Sequence, residues 1–155
     1  PISSGIWRAQ RGAELGHLCV NPRGAPCGCG GRGCLEQYAS QTGLLRMMNE
    51  VGLATDGPNA VPALFDAARA GDPHARDVVN HAGAALGQAV ASLVNLTGVR
   101  CFVLAGGISA ALPQLKPSIV RALQRFSVST EVTLKAGILG ADAGVIGAAL
   151  LGARP

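Results

Sequence analysis

Apolar residues recur at helical spacing along most of the chain and at strand spacing in a few short segments. Some of the helical segments end at a glycine, and the longest begins after an acidic residue, as amphipathic helices often do. The extended segments are shorter and are bounded by turn residues. This pattern predicts helices over 34–51, 60–70, 73–96, 112–125 and 142–151, and strands over 5–10, 17–20, 101–105 and 129–135.

Particular residues explain where several of these helices begin or end. Gly71 is expected just past the end of one helix, and Asp72 and Pro73 then serve as N-cap and first residue of the longest helix. Gly43 is a candidate break in the first helix, and Asp142 a candidate cap for the last.

The run Cys101-Phe102-Val103-Leu104-Ala105 is continuously apolar, which is typical of a strand buried on both faces. A helix follows it and a second strand follows the helix. This order predicts a right-handed crossover, parallel strand pairing and an α/β fold.

Composition narrows the class of protein. The chain has 155 residues and a formal charge of +4, and its arginines are scattered, unlike those of a basic nucleic-acid-binding arm. No apolar run is long enough to span a membrane, so the sequence indicates a soluble, cytoplasmic protein. Because it starts at Pro1 and enters a predicted strand almost at once, we expect it to be part of a longer polypeptide.

The segment 21–33 is rich in Gly, Pro, Cys and Arg, and it has too few apolar residues to fold by itself. His17, Cys27, Cys29 and Cys34 frame it with the spacing H-x9-C-x-C-x4-C. One imidazole and three thiolates form a closed tetrahedral set for structural zinc. The alternative is four unligated residues in a mobile loop.

The other two cysteines, Cys19 and Cys101, are both predicted to be packing residues within strands.

Two carboxylates flank the predicted zinc loop. Glu14 precedes His17 by three positions and Glu36 follows Cys34 by two, so zinc would bring both carboxylates together. Paired acceptors suit the hydroxyls of a sugar. An exposed Glu36 in the first turn of a helix, favoured there by the helix dipole, is an equally good explanation from the residues alone.

These segments resemble a known family. Glu14-Leu15-Gly16-His17 and the run from Cys27 to Glu36, CGCGGRGCLE, are similar to the paired signatures E-x-G-H and C-x-C-G-x-x-G-C-x-E of the ROK family of repressors, open reading frames and kinases. The resemblance implies the C-terminal half of an actin-like, ribonuclease-H-like ATPase fold with a zinc-binding loop.

The resemblance also implies roles for single residues. His17, Cys27, Cys29 and Cys34 would bind structural zinc, and Glu14, His17 and Glu36 would contact the sugar. ATP and Mg²⁺ would act in the complete protein, whose catalytic Asp and D-x-G-x-T segment are expected in the other half. One departure is Ala13, where the family usually has Gly.

Gly106-Gly107 follows the predicted buried strand, in the run LAGGIS over 104–109. Alone, such a pair is most simply a strand-to-helix turn. The resemblance implies instead that Gly106 and Gly107 contact the nucleotide, which their missing Cβ atoms would allow.

Three functions remain open on the sequence. The favoured one is a glucokinase-like kinase that phosphorylates the 6-hydroxyl of an aldohexose, with glucose the expected hexose. The second is the effector-binding domain of a ROK repressor, the one case in which nucleic acid is a partner. The third is a zinc-stabilised oligomerisation module without a ligand; a homo-oligomer is expected in any case. The single domain 1–155 is predicted to consist of a zinc and sugar part (1–36), a helical part (37–97) and a nucleotide-side part (98–155).

Overall fold

Helices make up most of residues 14–152, the part of the chain that the computed structural model describes. The predicted strand over 5–10 lies outside these residues. Three short 3-10 turns accompany the regular elements, at Leu15–His17, Gly107–Ala111 and Gly140–Asp142. The helices and strands are α1 (Glu36–Ala39), α2 (Gln41–Glu50), α3 (Ala60–Ala70), α4 (Pro73–Thr97), β1 (Cys101–Leu104), α5 (Leu112–Phe126), β2 (Thr133–Ala136) and α6 (Ala143–Gly152).

The long helix α4 begins as the sequence predicts. The Asp72 carboxylate accepts a 2.7 Å hydrogen bond from the Ala75 backbone N–H, and Pro73 is the first helical residue. Helix α3 ends at Gly71, whose φ of 106° lies in the left-handed region. These local signals determine where α4 begins and where α3 ends, because each satisfies backbone groups that a helix end leaves unpaired.

The predicted single helix over 34–51 is wrong in one respect: it is two helices, and the break is at Ser40. Ser40 is extended, and its hydroxyl accepts a 3.0 Å hydrogen bond from the Gly43 N–H, which caps α2. Gly43 lies inside α2 and is buried. A Cβ there would lie 2.5 Å from the carbonyl carbon of Gln37. Gly43 therefore lets α1 and α2 approach closely and does not interrupt a helix.

Helix α4 is the centre of the core and packs against α1, α2, α3 and α5. Its contact with α5 runs through glycines: a Cβ at Gly83 would lie 2.8 Å from the Leu115 carbonyl oxygen, and one at Gly87 would lie 2.7 Å from that of Ile119. The two backbones therefore meet directly. The largest fully buried side chains are those of Leu44, Met48, Leu64, Leu115 and Ile119.

Strands β1 and β2 pair in parallel, as predicted, with Cys101 opposite Thr133 and Leu104 opposite Ala136. The prediction that β1 is buried on both faces is wrong. Phe102 and Leu104 pack against the core, whereas Cys101 is exposed and Val103 is 60% exposed. Cys101 is thus not a core residue in this structure, because the described residues cover only one face of the sheet.

The C-terminal elements expose apolar side chains. Helix α6, predicted over 142–151, has no buried residue, and Ile138 in the preceding turn is 99% exposed. Asp142 lies in the 3-10 turn just before α6, and its capping role stays a prediction. Strand β2 is shorter than the predicted 129–135. None of the helices in residues 14–152 combines the length and the hydropathy needed to cross a bilayer.

Candidate functional site

The loop that follows Leu15–His17 folds back on itself through two isolated antiparallel bridges, one joining Cys19 to Cys34 and one joining Pro26 to Arg32. The predicted strand over 17–20 is wrong, because the backbone turns at Leu15–His17 and only Cys19 pairs. Cys19 is exposed, so its predicted packing role is wrong as well.

The tight course of this loop depends on a glycine. Gly33 has a φ of 63°, and its N–H donates to the Ala25 carbonyl at 2.8 Å while its own carbonyl accepts from Val20. A Cβ at Gly33 would collide with the Asn21 carbonyl oxygen. Any larger residue would therefore push the two sides of the loop apart.

A small apolar cluster attaches the loop to the rest of the fold. Val20 and Leu35, on either side of the loop, are buried against Ala85 and Ala89 of α4. Alanines on α4 leave room for these larger side chains, so the loop is held against the longest helix.

The four predicted metal ligands come together at the mouth of the loop. One ligand atom from each of His17, Cys27, Cys29 and Cys34 lies within 4.8 Å of the others. Cys29 Sγ is 3.6 Å from Cys34 Sγ, and Cys27 Sγ is 3.7 Å from His17 Nδ1. A tetrahedral ion with Zn–S bonds of about 2.3 Å needs sulfurs about 3.8 Å apart. The geometry and the soft donors therefore fit zinc.

The thiols of this cluster differ in acidity. A hydrogen bond with the Cys29 backbone is the main cause that lowers the Cys27 pKa to about 7, whereas burial is the main cause that raises the Cys34 pKa to about 12. At neutral pH, Cys34 holds its proton in the metal-free cluster. A metal ion that binds Cys34 as a thiolate must displace that proton.

One of the two predicted sugar carboxylates touches the cluster. His17 Nδ1 lies 3.5 Å from Glu36 Oε2, and both side chains remain partly exposed, at 39% and 44%. Glu36 is the first residue of α1, directly after the loop. Glu14 is exposed, and its carbonyl accepts the His17 N–H at 3.0 Å. The backbone thus places all three predicted sugar residues at one end of the loop.

The predicted nucleotide turn has an unusual backbone. Gly106 has a φ of 78° and a ψ of −170°, a conformation that favours glycine. Its carbonyl accepts from the Ser109 hydroxyl at 2.7 Å. Gly107 has no positive φ, and a Cβ at either glycine would meet no atom within 4 Å. Packing within the described residues therefore does not explain why position 107 is glycine.

A cavity of about 540 Å³ lies beside this turn, and the residues that line it include neither the four clustered ligands nor Glu14 and Glu36. It extends from Ala39, at the end of α1, to Gly107 and Ile108 in the turn after β1, with α3 along one wall. The wall is largely apolar and includes Phe65. Its polar lining residues are Gln41, Asp66, Arg69 and Gln114.

Sequence reasoning missed the α3 wall of this cavity. Asp66 and Arg69 form an exposed ion pair of 3.1 Å, which in sequence is an ordinary i,i+3 pair on a helix surface. Gln114 donates to the Phe65 carbonyl at 3.3 Å, and its Oε1 is buried with no partner among the described residues. No local pattern marks such residues, because the cavity forms only when α3 packs beside the turn.

The comparison with known families agrees with these motifs. The family model described as "ROK family" matches residues 4–154. The chain belongs to the ROK family. The closely spaced Cys and His residues and the Gly106-Gly107 turn lie within the matched residues.

Curated relatives of this ROK chain include the glucokinase of Halalkalibacterium halodurans, which is 37% identical over 149 residues. That match covers 86% of this chain and 45% of the relative. The chain therefore spans about half the length of the relative it matches.

Solved ROK structures show the same fold. A glucokinase from Streptomyces griseus, in complex with glucose and AMPPNP, superposes with a TM-score of 0.73 at 32% identity, covering 90% of this chain and 51% of that one. A ROK transcriptional regulator, a homologue of the E. coli MLC protein, superposes with a TM-score of 0.66 at 31% identity, covering 79% and 33%. The α/β fold is therefore that of ROK sugar kinases, and a regulator shares it.

Proposed function

We propose that this chain is the sugar-binding and zinc-carrying half of an ATP-dependent hexose kinase. The observation that carries the proposal is that the Glu36 carboxylate lies beside His17 at the cluster of His17 and three cysteines, 3.5 Å from its Nδ1. A separate cavity reaches Gly107. The match to glucokinases over most of the chain supports it.

In this proposal, zinc has a structural role. His17, Cys27, Cys29 and Cys34 complete its tetrahedron, so no position remains for water or substrate. The bound ion would supply the free energy that orders a loop with few apolar residues. The loop in turn fixes the orientation of His17 and of α1, which carries Glu36.

The sugar would bind at the outer side of this cluster. His17 Nδ1 is the ring nitrogen nearest Cys27 Sγ, at 3.7 Å, which leaves Nε2 to donate a hydrogen bond. Carboxylates of Glu14 and Glu36 would accept hydrogen bonds from neighbouring sugar hydroxyls. We propose glucose as the hexose and its 6-hydroxyl as the acceptor of the phosphoryl group.

The nucleotide would bind between Gly107 and α3. The missing Cβ of Gly107 leaves space for close approach, and the largely apolar cavity suits a flat base. Gln41, Gln114 and the ion pair of Arg69 with Asp66 are the polar groups available there. ATP would supply the phosphoryl group, and Mg²⁺ would neutralise the charge of the phosphates.

This chain would position substrates without supplying the general base, and we propose that an Asp in the remainder of the protein removes the hydroxyl proton. The complete protein is expected to act in the cytoplasm as a homo-oligomer. The chain alone is expected to bind zinc and to show no turnover.

A second candidate function rests on the similarity to the transcriptional regulator. In that case, the same zinc cluster and carboxylates would sense a sugar, and a DNA-binding segment would lie elsewhere in the polypeptide. Phosphoryl transfer would be absent, while sugar binding would change the affinity for an operator.

The test is an assay of the complete polypeptide that carries this chain. ATP-dependent phosphorylation of glucose, measured with zinc content, is the expected result. Sugar binding without turnover, together with sugar-dependent DNA binding, would replace the kinase with the regulator. If the complete polypeptide neither binds sugar nor phosphorylates it, the kinase and the regulator are both excluded. The oligomerisation module is then the one candidate function left.

A further inference from the structure

A second concavity lies on the outer side of the α4–α5 pair. Its volume is about 410 Å³, and it shares no lining residue with the cavity beside Gly107. It is thus a separate feature from the proposed kinase site. The residues that carry its chemistry are Asp77, Asn80 and His81 of α4, and Arg121, Arg125 and Phe126 of α5.

Arg121 is positioned by neutral groups. Its Nη2 donates to the Ser118 hydroxyl at 2.7 Å and to Asn80 Oδ1 at 3.3 Å, and the Ser118 hydroxyl donates to the same Asn80 oxygen at 2.7 Å. Ser118 is only 2% exposed. A buried hydroxyl and an amide therefore hold the guanidinium in place without neutralising it.

Arg125 completes a pair of cations. Its guanidinium carbon lies 5.1 Å from the centroid of the Phe126 ring. Among residues 14–152, neither Arg125 nor Arg121 lies within 4.0 Å of a carboxylate oxygen. Two guanidiniums and one carboxylate, that of Asp77, line the concavity, so its net positive charge favours an anion, and phosphate oxygens match the planar donor geometry of the guanidiniums.

The other wall offers acceptors. His81 Nδ1 lies 2.9 Å from the Asp77 backbone carbonyl, an oxygen that can only accept. Nδ1 therefore carries the hydrogen, and Nε2 of the neutral ring is an acceptor. The Asp77 carboxylate is also an acceptor. Acceptors at this wall favour a ligand that carries hydroxyl groups as well as a charge.

We propose that this groove binds a small phosphorylated polyol of the sugar-phosphate class. Arg121 and Arg125 hold the phosphate, Asp77 and His81 accept from hydroxyls, and the Phe126 ring packs against the carbon skeleton. A volume of about 410 Å³ accommodates one such molecule. The site would let a phosphorylated sugar bind without competing for the residues at the zinc cluster.

The test is calorimetric titration of glucose 6-phosphate into the complete, zinc-loaded polypeptide at constant ionic strength. The double variant Arg121→Gln/Arg125→Gln should weaken binding by about tenfold or more, because it removes two charge-assisted contacts. The control Arg100→Gln, which removes one positive charge at an exposed pair with Glu131, should leave the affinity unchanged.

The Glu36→Gln variant separates this site from the proposed sugar site. Retained binding in Glu36→Gln and its loss in the double arginine variant support the groove. If only Glu36→Gln loses binding of glucose 6-phosphate, the proposal for the groove is overturned and the kinase proposal stands. Equal affinity for inorganic phosphate would overturn the sugar part of the ligand, and absence of binding in the wild type would overturn the site altogether.

Discussion

His17 Nδ1 lies 3.5 Å from Glu36 Oε2, and the same nitrogen lies 3.7 Å from Cys27 Sγ. A zinc ion bound at Nδ1 would leave that nitrogen no hydrogen for Glu36, so the two groups would only be neighbours. The Glu36 carboxylate would then remain free to accept hydrogen bonds from a ligand. Because the two functions meet in His17, they must be separated experimentally at Glu36 and at the cysteines.

Replacing Glu36 by Gln should impair sugar use without releasing zinc. The amide keeps the size of the side chain but removes the charge that strengthens hydrogen bonds to hydroxyls, so the glucose KM should rise about tenfold or more. Steady-state kinetics and zinc content of the complete protein measure the two effects. The control is Glu50→Gln, at an exposed pair with Arg46. Zinc loss in Glu36→Gln would show that Glu36 supports the metal instead of the sugar.

Replacing Cys29 by Ser should, in contrast, release zinc and destabilise the fold. Cys29 contributes one thiolate of the cluster, and its loss should abolish stoichiometric zinc and lower the melting temperature by about 6–12 °C if about 3 kcal/mol is lost. A strong chelator should reproduce the shift in the wild type. Cys101→Ser, at an exposed cysteine outside the cluster, should retain zinc and stability. Equal behaviour of the two variants would argue against the metal site.

Gly107 offers a test of the nucleotide site. A Cβ there meets no atom within 4 Å, so Gly107→Val should leave the melting temperature nearly unchanged. A nucleotide close to the turn would meet the added side chain, and the ATP KM should rise about tenfold or more, while the glucose KM stays constant. An unchanged ATP KM would remove Gly107 from the site.

The contact between α4 and α5 predicts an asymmetry between two glycines. Gly87→Ala should destabilise the chain by about 1–3 kcal/mol, because the added Cβ would lie 2.7 Å from both the Ile119 carbonyl oxygen and the Ala122 Cβ. Gly147→Ala in α6 meets no atom within 4 Å and should be neutral or stabilising by up to about 1 kcal/mol. Urea unfolding of both variants measures the difference. Destabilisation by Gly147→Ala alone would contradict this packing.

Local chemistry made several features predictable. Asp72, Pro73 and Gly71 act on backbone groups within one helical turn, so their roles follow from sequence and are confirmed. The grouping of His17, Cys27, Cys29 and Cys34 was predictable for another reason: ligand type and spacing are constrained by coordination geometry, and the structure places the four ligand atoms within 4.8 Å of one another.

Features that depend on distant packing were not predictable. The apolar run of β1 indicates two covered faces, but burial depends on what lies beyond the strand, and Val103 is 60% exposed. The position of the break between α1 and α2 was not predictable for the same reason, because both Gly43 and Ser40 are compatible with a helix break. Only the approach of α1 to α2, which would place a Gly43 Cβ 2.5 Å from Gln37, decides between them.

The attachment of the zinc loop to α4 through Val20 and Leu35, and of α4 to α5 through Gly83 and Gly87, has a mechanical consequence. The elements that carry the proposed sugar and nucleotide sites are therefore joined by direct packing, and we expect the distance between the two sites to change little during turnover. In the proposed kinase, alignment of the two substrates for phosphoryl transfer would then come from closure of the proposed catalytic half over this chain. We expect such closure to bring the proposed general base to the sugar hydroxyl, while the residues that this chain contributes keep their positions.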